Sequence, residues 1–248
     1  MYTGFARIYD QLMQDVDYDV WARRLQEMLL SRGVQKGARV AECACGTGSL
    51  TLRLNRMGFR MTGLDLSGDM LELAMDKCRN AGQMIPFIRQ DMRSLTLPRK
   101  ADAVLATCDG VNYLLTEEDL KAFLLAAHSQ MKAGGTLIFD VSSPYKLRTL
   151  LGNTTLTRTE EDFAYIWHNK LDEKKQQVHL DLMLFTREQG EETFIRTTET
   201  QTQRIWDRKT LTRMLEECGY ENIAFTGRFR QSAPHSRDDR WMVCADRK

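Results

Sequence analysis

Three acids, Glu42, Asp65 and Asp91, stand at or just past the ends of short apolar runs, and Gly46-Thr47-Gly48 closely follows the first of them. Carboxylates so placed can accept hydrogen bonds from hydroxyls and amines, and a turn without side chains lets backbone approach a ligand closely. Asp65 lies about as far past the glycines as the acid that accepts from ribose hydroxyls in nucleoside-binding sheets. Its competing reading is a helix-flanking acid favoured by the dipole of a helix opening at Ser67. Asp91 is placed to accept from the exocyclic amine of adenine, with Leu66 and Met92 on either side of the ring; the plainer reading is a solvated loop acid. A dinucleotide is disfavoured, because its fingerprint puts a third glycine three positions after Gly48, where Thr51 stands.

The elements that must hold these residues follow from hydrophobic periodicity. Tyr18 to Leu30 carries Val20, Trp21, Leu25, Met28 and Leu29 at helical spacing, and Arg39 to Cys45 reads as a strand entering the glycine turn. Ser49 to Met57 is helical and stops at Gly58; Phe59 to Leu66 is a strand ending on Asp65; Ser67 caps a helix through about Arg79; Pro86 to Gln90 is a short strand. Strand Ala101 to Cys108, a helix from Thr116 to Met131 and strand Thr136 to Val141 continue the alternation, which implies a doubly wound, mostly parallel sheet. From about Thr154 to Trp206 the rhythm changes to period two, as at Val178, Leu180, Leu182 and Leu184, and three antiparallel strands are expected. A helix from Arg208 to Cys218 and strands near Glu221 to Arg230 and Arg240 to Asp246 close the chain.

With 248 residues, 42% hydrophobic and 28% charged, the chain suits one compact domain carrying an insertion. The expected divisions are a helical lid (1–33), a cofactor-binding core (34–150), the inserted strands (151–206) and a core completion (207–248). Its 35 basic and 34 acidic residues nearly cancel, so no global field draws it to nucleic acid or an anionic membrane, and a small acceptor is favoured. No run of roughly 20 apolar residues offers a membrane span, and the start lacks a leader pattern, so a cytoplasmic protein is expected. The six cysteines form no C-x-x-C pair and read as small buried hydrophobes, with no metal site indicated.

The runs AECACGTGSLTLRL, GLDLSGDMLELA, IRQDMRSL, CDGVNYL and MKAGGTLIFDV, in this order, resemble the class I S-adenosylmethionine-dependent methyltransferases. The likeness extends to small bacterial members that begin with a Phe-Ala-x-x-Tyr-Asp pattern, here Phe5-Ala6-Arg7-Ile8-Tyr9-Asp10. It implies a Rossmann-like fold with a seven-stranded sheet and an antiparallel insertion after strand 5, and S-adenosyl-L-methionine as cofactor, leaving as S-adenosyl-L-homocysteine. Glu42, Ala44, Cys45, Gly46 and Gly48 would line its methionine part, Asp65 its ribose, and Leu66, Met70, Asp91 and Met92 its adenine side. Cys108 and Asn112 would also contact the cofactor, Asp109 and Tyr113 would stand in the active site, and Tyr9 and Trp21 would close over the cofactor or simply pack an amphipathic helix. Cys43 replaces a larger aliphatic, and Gln201 stands where relatives often carry His.

Methyl transfer needs alignment more than covalent chemistry, although an amine or hydroxyl acceptor must lose a proton. Candidates for that proton are Tyr113, Asp109, His168 and His179; the four histidines (128, 168, 179 and 235) read more naturally as surface or packing groups. Arg196, Arg204 and Trp206 of the insertion could meet an acceptor, and the same strands could instead pair two copies, so monomer and homodimer stay open. The leading reading is a small-molecule N- or O-methyltransferase. A tRNA or rRNA modifier would use a basic patch, for which Arg228, Arg230, Arg237 and Arg240 are candidates unless they merely charge a strand edge. A non-catalytic cofactor-binding protein is the third class, disfavoured by the joint presence of Glu42, Gly46, Gly48, Asp65 and Asp91.

Overall fold

The computed structural model describes residues 9–187 and 192–248, apart from Gln11 and Gln14. Phe5 to Ile8 of the N-terminal motif lie outside the described residues, whereas Tyr9 and Asp10 lie within them. The chain runs α1 (Tyr18–Ser31), β1 (Arg39–Cys43), α2 (Ser49–Arg56), β2 (Arg60–Asp65), α3 (Gly68–Asn80) and β3 (Phe87–Arg89), then β4 (Ala101–Ala106), α4 (Glu117–Gln130) and β5 (Met131–Ser142). Four strands follow, β6 (Thr155–Thr159), β7 (Phe163–Asp172), β8 (Gln177–Thr186) and β9 (Ile195–Arg204), before α5 (Arg208–Glu217), β10 (Tyr220–Gly227) and β11 (Arg240–Arg247).

Seven strands form one sheet in the order β10-β11-β5-β4-β1-β2-β3, parallel except for β11, which pairs antiparallel with both β5 and β10. β1 and β4 are buried over nearly their whole lengths, as strands covered on both faces must be. The helices start where capping chemistry directs: Asp17 accepts from the Asp19 and Val20 amides, Ser67 from Met70 and Thr116 from Asp119. α1 buries Trp21, Leu25, Met28 and Leu29 against the sheet face that includes Val40, Leu105 and Ile138.

The insertion departs from expectation in strand number. It is a separate four-stranded antiparallel sheet, β6-β7-β8-β9, not three strands. The extra member, Thr155–Thr159, is an edge strand with one apolar residue and mostly exposed positions, so it left no period-two signal. The alternation in β7 to β9 sends Tyr165, Trp167, Leu182, Gln201 and Gln203 to one face. There Tyr165, Trp167 and Leu182 pack with Met70 and Leu73 of α3 and with Tyr9 and Leu12. Asn112 donates to the Arg204 carbonyl at 2.9 Å and Arg204 donates to the Leu115 carbonyl at 2.7 Å, fixing the end of β9 to the loop after β4. Among the described residues no helix is long and apolar enough to cross a membrane.

Candidate functional site

A cavity of about 690 Å³ lies at the carboxyl ends of β1, β2 and β4, where the chain's winding direction reverses across the sheet. Ala44, Gly46, Asp65 and Leu66 line one side; Asp91 and Met92 another; Cys108, Asp109 and Tyr113 come from β4's end; Tyr9 and Trp21 from the N-terminal region. Inner-face residues of the second sheet, Tyr165, Trp167, Leu182, Gln201 and Gln203, complete the wall. Of the residues singled out from sequence, Met70 also lines it.

The backbone is strained where β1 and β4 end. Ala44, Cys108 and Asp109 have φ of 52°, 57° and 68°, a left-handed conformation that costs a non-glycine residue about 1–2 kcal/mol, and such outliers gather at functional sites. Gly46 shares it at φ 54°, lines the cavity, and has open space where a Cβ would stand. Asp65 braces this turn: one carboxylate oxygen accepts from the Gly46 amide at 2.8 Å, the other from the Ser67 amide at 2.9 Å. Burial raises its carboxyl, against those backbone bonds, and among the described residues no cation pairs with it. Two bonds leave lone pairs free on both oxygens, available to hydroxyls in the cavity. Asp10 ties the N-terminal segment to the same turn, accepting from the Thr47 hydroxyl at 2.6 Å and pairing with Lys77 at 2.7 Å.

Glu42, Cys45 and Gly48, expected at the methionine part of the cofactor, are not among the residues that line the cavity. Glu42 is 2% exposed and accepts from the Thr51 and Thr107 hydroxyls beneath the turn. The Cys45 side chain is buried. Gly48 faces packing instead: a Cβ there would stand 3.0 Å from Ala74 and 3.2 Å from Phe87. Burial pushes the Glu42 carboxyl up to about 7, the two threonines pulling the other way. A folded-state value above the unfolded one favours the protonated form, so Glu42's contribution is intact in acid and is lost as pH rises from about 4.5 through about 7. Glu42→Gln is therefore expected to unfold like the parent near pH 4.5 and to be more stable by up to about 3 kcal/mol at pH 8, measured by urea unfolding at both. A difference that does not grow with pH would mean the buried carboxylate ionises without cost.

At the opposite side Asp91 is not waiting for a ligand alone. Its carboxylate takes two-pronged donation from Arg93, whose other guanidinium nitrogen reaches Asp119 at 2.6 Å. That hydrogen bond holds Asp91 below the usual carboxylate range, with burial opposing. Leu66, 61% exposed, and half-buried Met92 stand beside it as apolar surfaces.

Asp109 sits in a buried charge cluster that sequence reading did not anticipate. It accepts from the Ser142 hydroxyl at 2.6 Å and from Arg240 at 2.7 and 2.8 Å, with Lys146 3.6 Å away. Arg240 also pairs with Asp140, whose oxygens accept from the Cys108 and Asp109 amides. Burial alone would raise Asp109, but the charges of Arg240 and Lys146 outweigh it and hold the carboxyl far below the usual range. Burial pushes Asp140 up, against the pull of Arg240. An acid so firmly ionised is a poor proton acceptor, which argues against Asp109 as a base. The signal that could have found this cluster, acids at the ends of β4 and β5 facing an arginine at the start of β11, needs the sheet order first.

Tyr113 donates its hydroxyl to the Gln201 side chain at 2.7 Å, bridging the loop after β4 and the second sheet. Asn112 is corrected: it is fully buried and spends its amide on Ser142 and on the Arg204 carbonyl. The insertion's expected acceptor residues are corrected too. Trp206 is 1% exposed, its indole nitrogen donating to the Val111 carbonyl, and Arg204 stacks over that ring. Arg196 is exposed on the outer face of β9. Both arginines are at outward positions, and the alternation gives the cavity to Gln201 and Gln203. None of the four histidines lines it; His168 and His179 face outward and bond Thr155 and Thr202. Of the C-terminal arginines, Arg228, Arg230 and Arg240 are paired with Asp239, Asp238 and Asp109, which leaves little basic field for RNA. The cysteines are unpaired, five buried and Cys108 half-buried, and among the described residues no cluster could hold a metal.

The donor set fits an adenosyl group bearing a positive sulfonium: an uncountered acid beside an open glycine turn, apolar surfaces next to Asp91, and aromatic Tyr9 and Trp21 above. Comparison with known proteins agrees. A family described as a methyltransferase domain matches residues 40–135. YqeM of Bacillus subtilis (strain 168), named as a methyltransferase, is 34% identical over 248 residues, spanning 100% of this chain and 97% of its own. The crystal structure of an S-adenosylmethionine-dependent methyltransferase from Clostridium acetobutylicum ATCC 824 superposes with TM-score 0.89 at 28% identity, covering 99% of this chain and 98% of that one. An S-adenosylmethionine-bound amino pentose methyltransferase from Micromonospora echinaspora has TM-score 0.75 at 18% identity, with 97% of each chain covered.

Proposed function

Because the chain belongs to the class I S-adenosylmethionine-dependent methyltransferases, we propose that it methylates a nitrogen of a small-molecule acceptor. The observation that carries this reading is a cavity whose second-sheet wall, Tyr165, Trp167, Leu182, Gln201 and Gln203, is uncharged and which, among the described residues, is lined by no unengaged proton acceptor other than the acids assigned to the cofactor. An amine can shed its proton to water before it enters, whereas an alcohol needs a base at the moment of attack. An amino pentose methyltransferase among the matched structures is consistent with that choice. The unpaired cysteines favour a reducing compartment, and we place the protein in the cytoplasm.

S-adenosylmethionine supplies, when bound, a methyl group on a positively charged sulfur. Ala44 and Gly46 would bring backbone against its methionine part and Asp65 would accept from the ribose hydroxyls. Leu66, Met70 and Met92 would flank the adenine beside Asp91, with Tyr9, Trp21 and Cys108 closing round the rest. Tyr113 stands between this half and the roof, where it would orient the acceptor. Holding nucleophile and methyl in line is the main task, and in favourable cases such alignment contributes about 7–11 kcal/mol.

Tyr113→Phe is expected to lower kcat/KM about tenfold, as loss of one well-made hydrogen bond would, with cofactor affinity unchanged. Steady-state kinetics beside calorimetry checks both halves. For the acceptor itself, the purified protein is incubated with isotopically labelled cofactor and cell extract. Label is expected in the small-metabolite fraction; label confined to RNA or protein overturns the reading.

A further inference from the structure

We propose that Gln203 anchors the acceptor by a hydroxyl next to its amine, so that the substrate class is a hydroxylated, uncharged-framework amine such as an amino sugar and not an amino acid or a phosphorylated amine. This rests on the methyltransferase reading above. Gln203 is on β9, opposite Val178, and its side chain lies on the inner face of the second sheet. It is 6% exposed, lines the cavity, and among the described residues its carboxamide has no hydrogen-bond partner. Its carboxamide nitrogen and oxygen open onto the cavity and are not sealed from it, so a donor and an acceptor are both available there to a ligand.

Trp167 lines the same cavity. The indole N–H of Trp167 is buried without a partner, on the same face of the sheet. Gln201 spends its oxygen on Tyr113 and keeps its amide hydrogens for other use. Trp167 and Tyr165 meet edge to face at 6.4 Å and 71°, giving the cavity aromatic surface that suits the C–H face of a ring. The Gln203 carboxamide and the spare amide hydrogens of Gln201 together match hydroxyl groups, which both donate and accept.

The charges exclude the alternatives. The arginines that line the cavity are all engaged: Arg93 with Asp91 and Asp119, Arg228 with Asp239, and Arg240 with Asp109 and Asp140. A carboxylate or phosphate on the acceptor would be desolvated without a cation to meet it.

The test is calorimetry on the S-adenosylhomocysteine-loaded protein with three probes: positional isomers of methyl aminodeoxyglucoside, cyclohexylamine as an amine without hydroxyls, and glycine as a carboxylated amine. At least one glucoside is expected to bind, at least tenfold tighter than cyclohexylamine, with glycine weakest. Gln203→Met, nearly the same size, is expected to weaken the glucoside about tenfold and leave cyclohexylamine and S-adenosylhomocysteine unchanged, the latter showing that the fold is intact. Should the variant not fold, Gln203→Glu keeps the shape and is expected to narrow the glucoside preference by drawing in any ammonium. Equal binding of glucoside and cyclohexylamine, preference for glycine, no glucoside bound, or glucoside affinity indifferent to position 203 overturns the proposal while leaving the methyltransferase reading standing. Failure of S-adenosylhomocysteine to bind the parent protein overturns that reading itself.

Discussion

Replacing Asp65 with alanine is expected to remove measurable S-adenosylmethionine binding. Two hydrogen bonds from ribose hydroxyls to a carboxylate contribute about 1.5–3 kcal/mol each, so their joint loss corresponds to roughly a hundredfold to ten-thousandfold in affinity. The effect has a second source. Asp65 also accepts from the Gly46 and Ser67 amides, and without it the glycine turn at φ 54° loses its brace. In calorimetry the binding heat should disappear, and the cofactor-dependent rise in melting temperature should go with it. Because burial raises this carboxyl, affinity in the parent protein should decline on acidification earlier than an ordinary aspartate would dictate. An unchanged dissociation constant in the variant would place the ribose elsewhere.

Arg240→Leu should cost the most stability of any single change at the site. It would leave buried Asp140 without a cation and half-buried Asp109 with Lys146 alone, and breaking a buried pair from one side typically costs about 3–5 kcal/mol. Arg240 further lies over the Trp21 ring at 5.4 Å, so the α1 contact with the cavity loosens as well. The pH dependence carries the sign. In the parent protein Asp109 titrates below its unfolded value, so its contribution is present at neutral pH and is lost only in strong acid. In the variant Asp140 lacks a cation, Asp109 keeps only Lys146, and burial raises both, so they would neutralise as pH falls sooner than in the parent. The deficit should therefore be widest near pH 7 and shrink towards pH 5, in urea unfolding compared at the two values. A deficit that is constant with pH would point to lost packing and not to stranded charge.

Residues whose meaning depends on near neighbours were legible in the chain. The strand, glycine turn and helix around Gly46, the acid at the end of β2 and the caps at Ser67 and Thr116 all rest on backbone rules that act over a few positions. Tyr9, Trp21, Ala44, Asp65, Leu66, Asp91, Met92, Cys108 and Tyr113 do meet round one cavity, because strand ends of a parallel sheet converge on its reversal point. β6 escaped notice for the reason that an exposed edge strand has no apolar alternation to show.

What the chain by itself determined is therefore the α/β alternation, the site's location at the carboxyl ends of the strands, and the acids that face it, since local periodicity and turn chemistry act within a few residues. Only the tertiary structure decided which side chains share the cavity across long sequence separations: Arg240 on Asp109, Gln201 on Tyr113, and Gln203 inward while Arg196 and Arg204 point out. A shift of one position along β9 would have exchanged the two sets, because successive residues of a strand alternate faces and register is fixed by pairing with β8, not by composition.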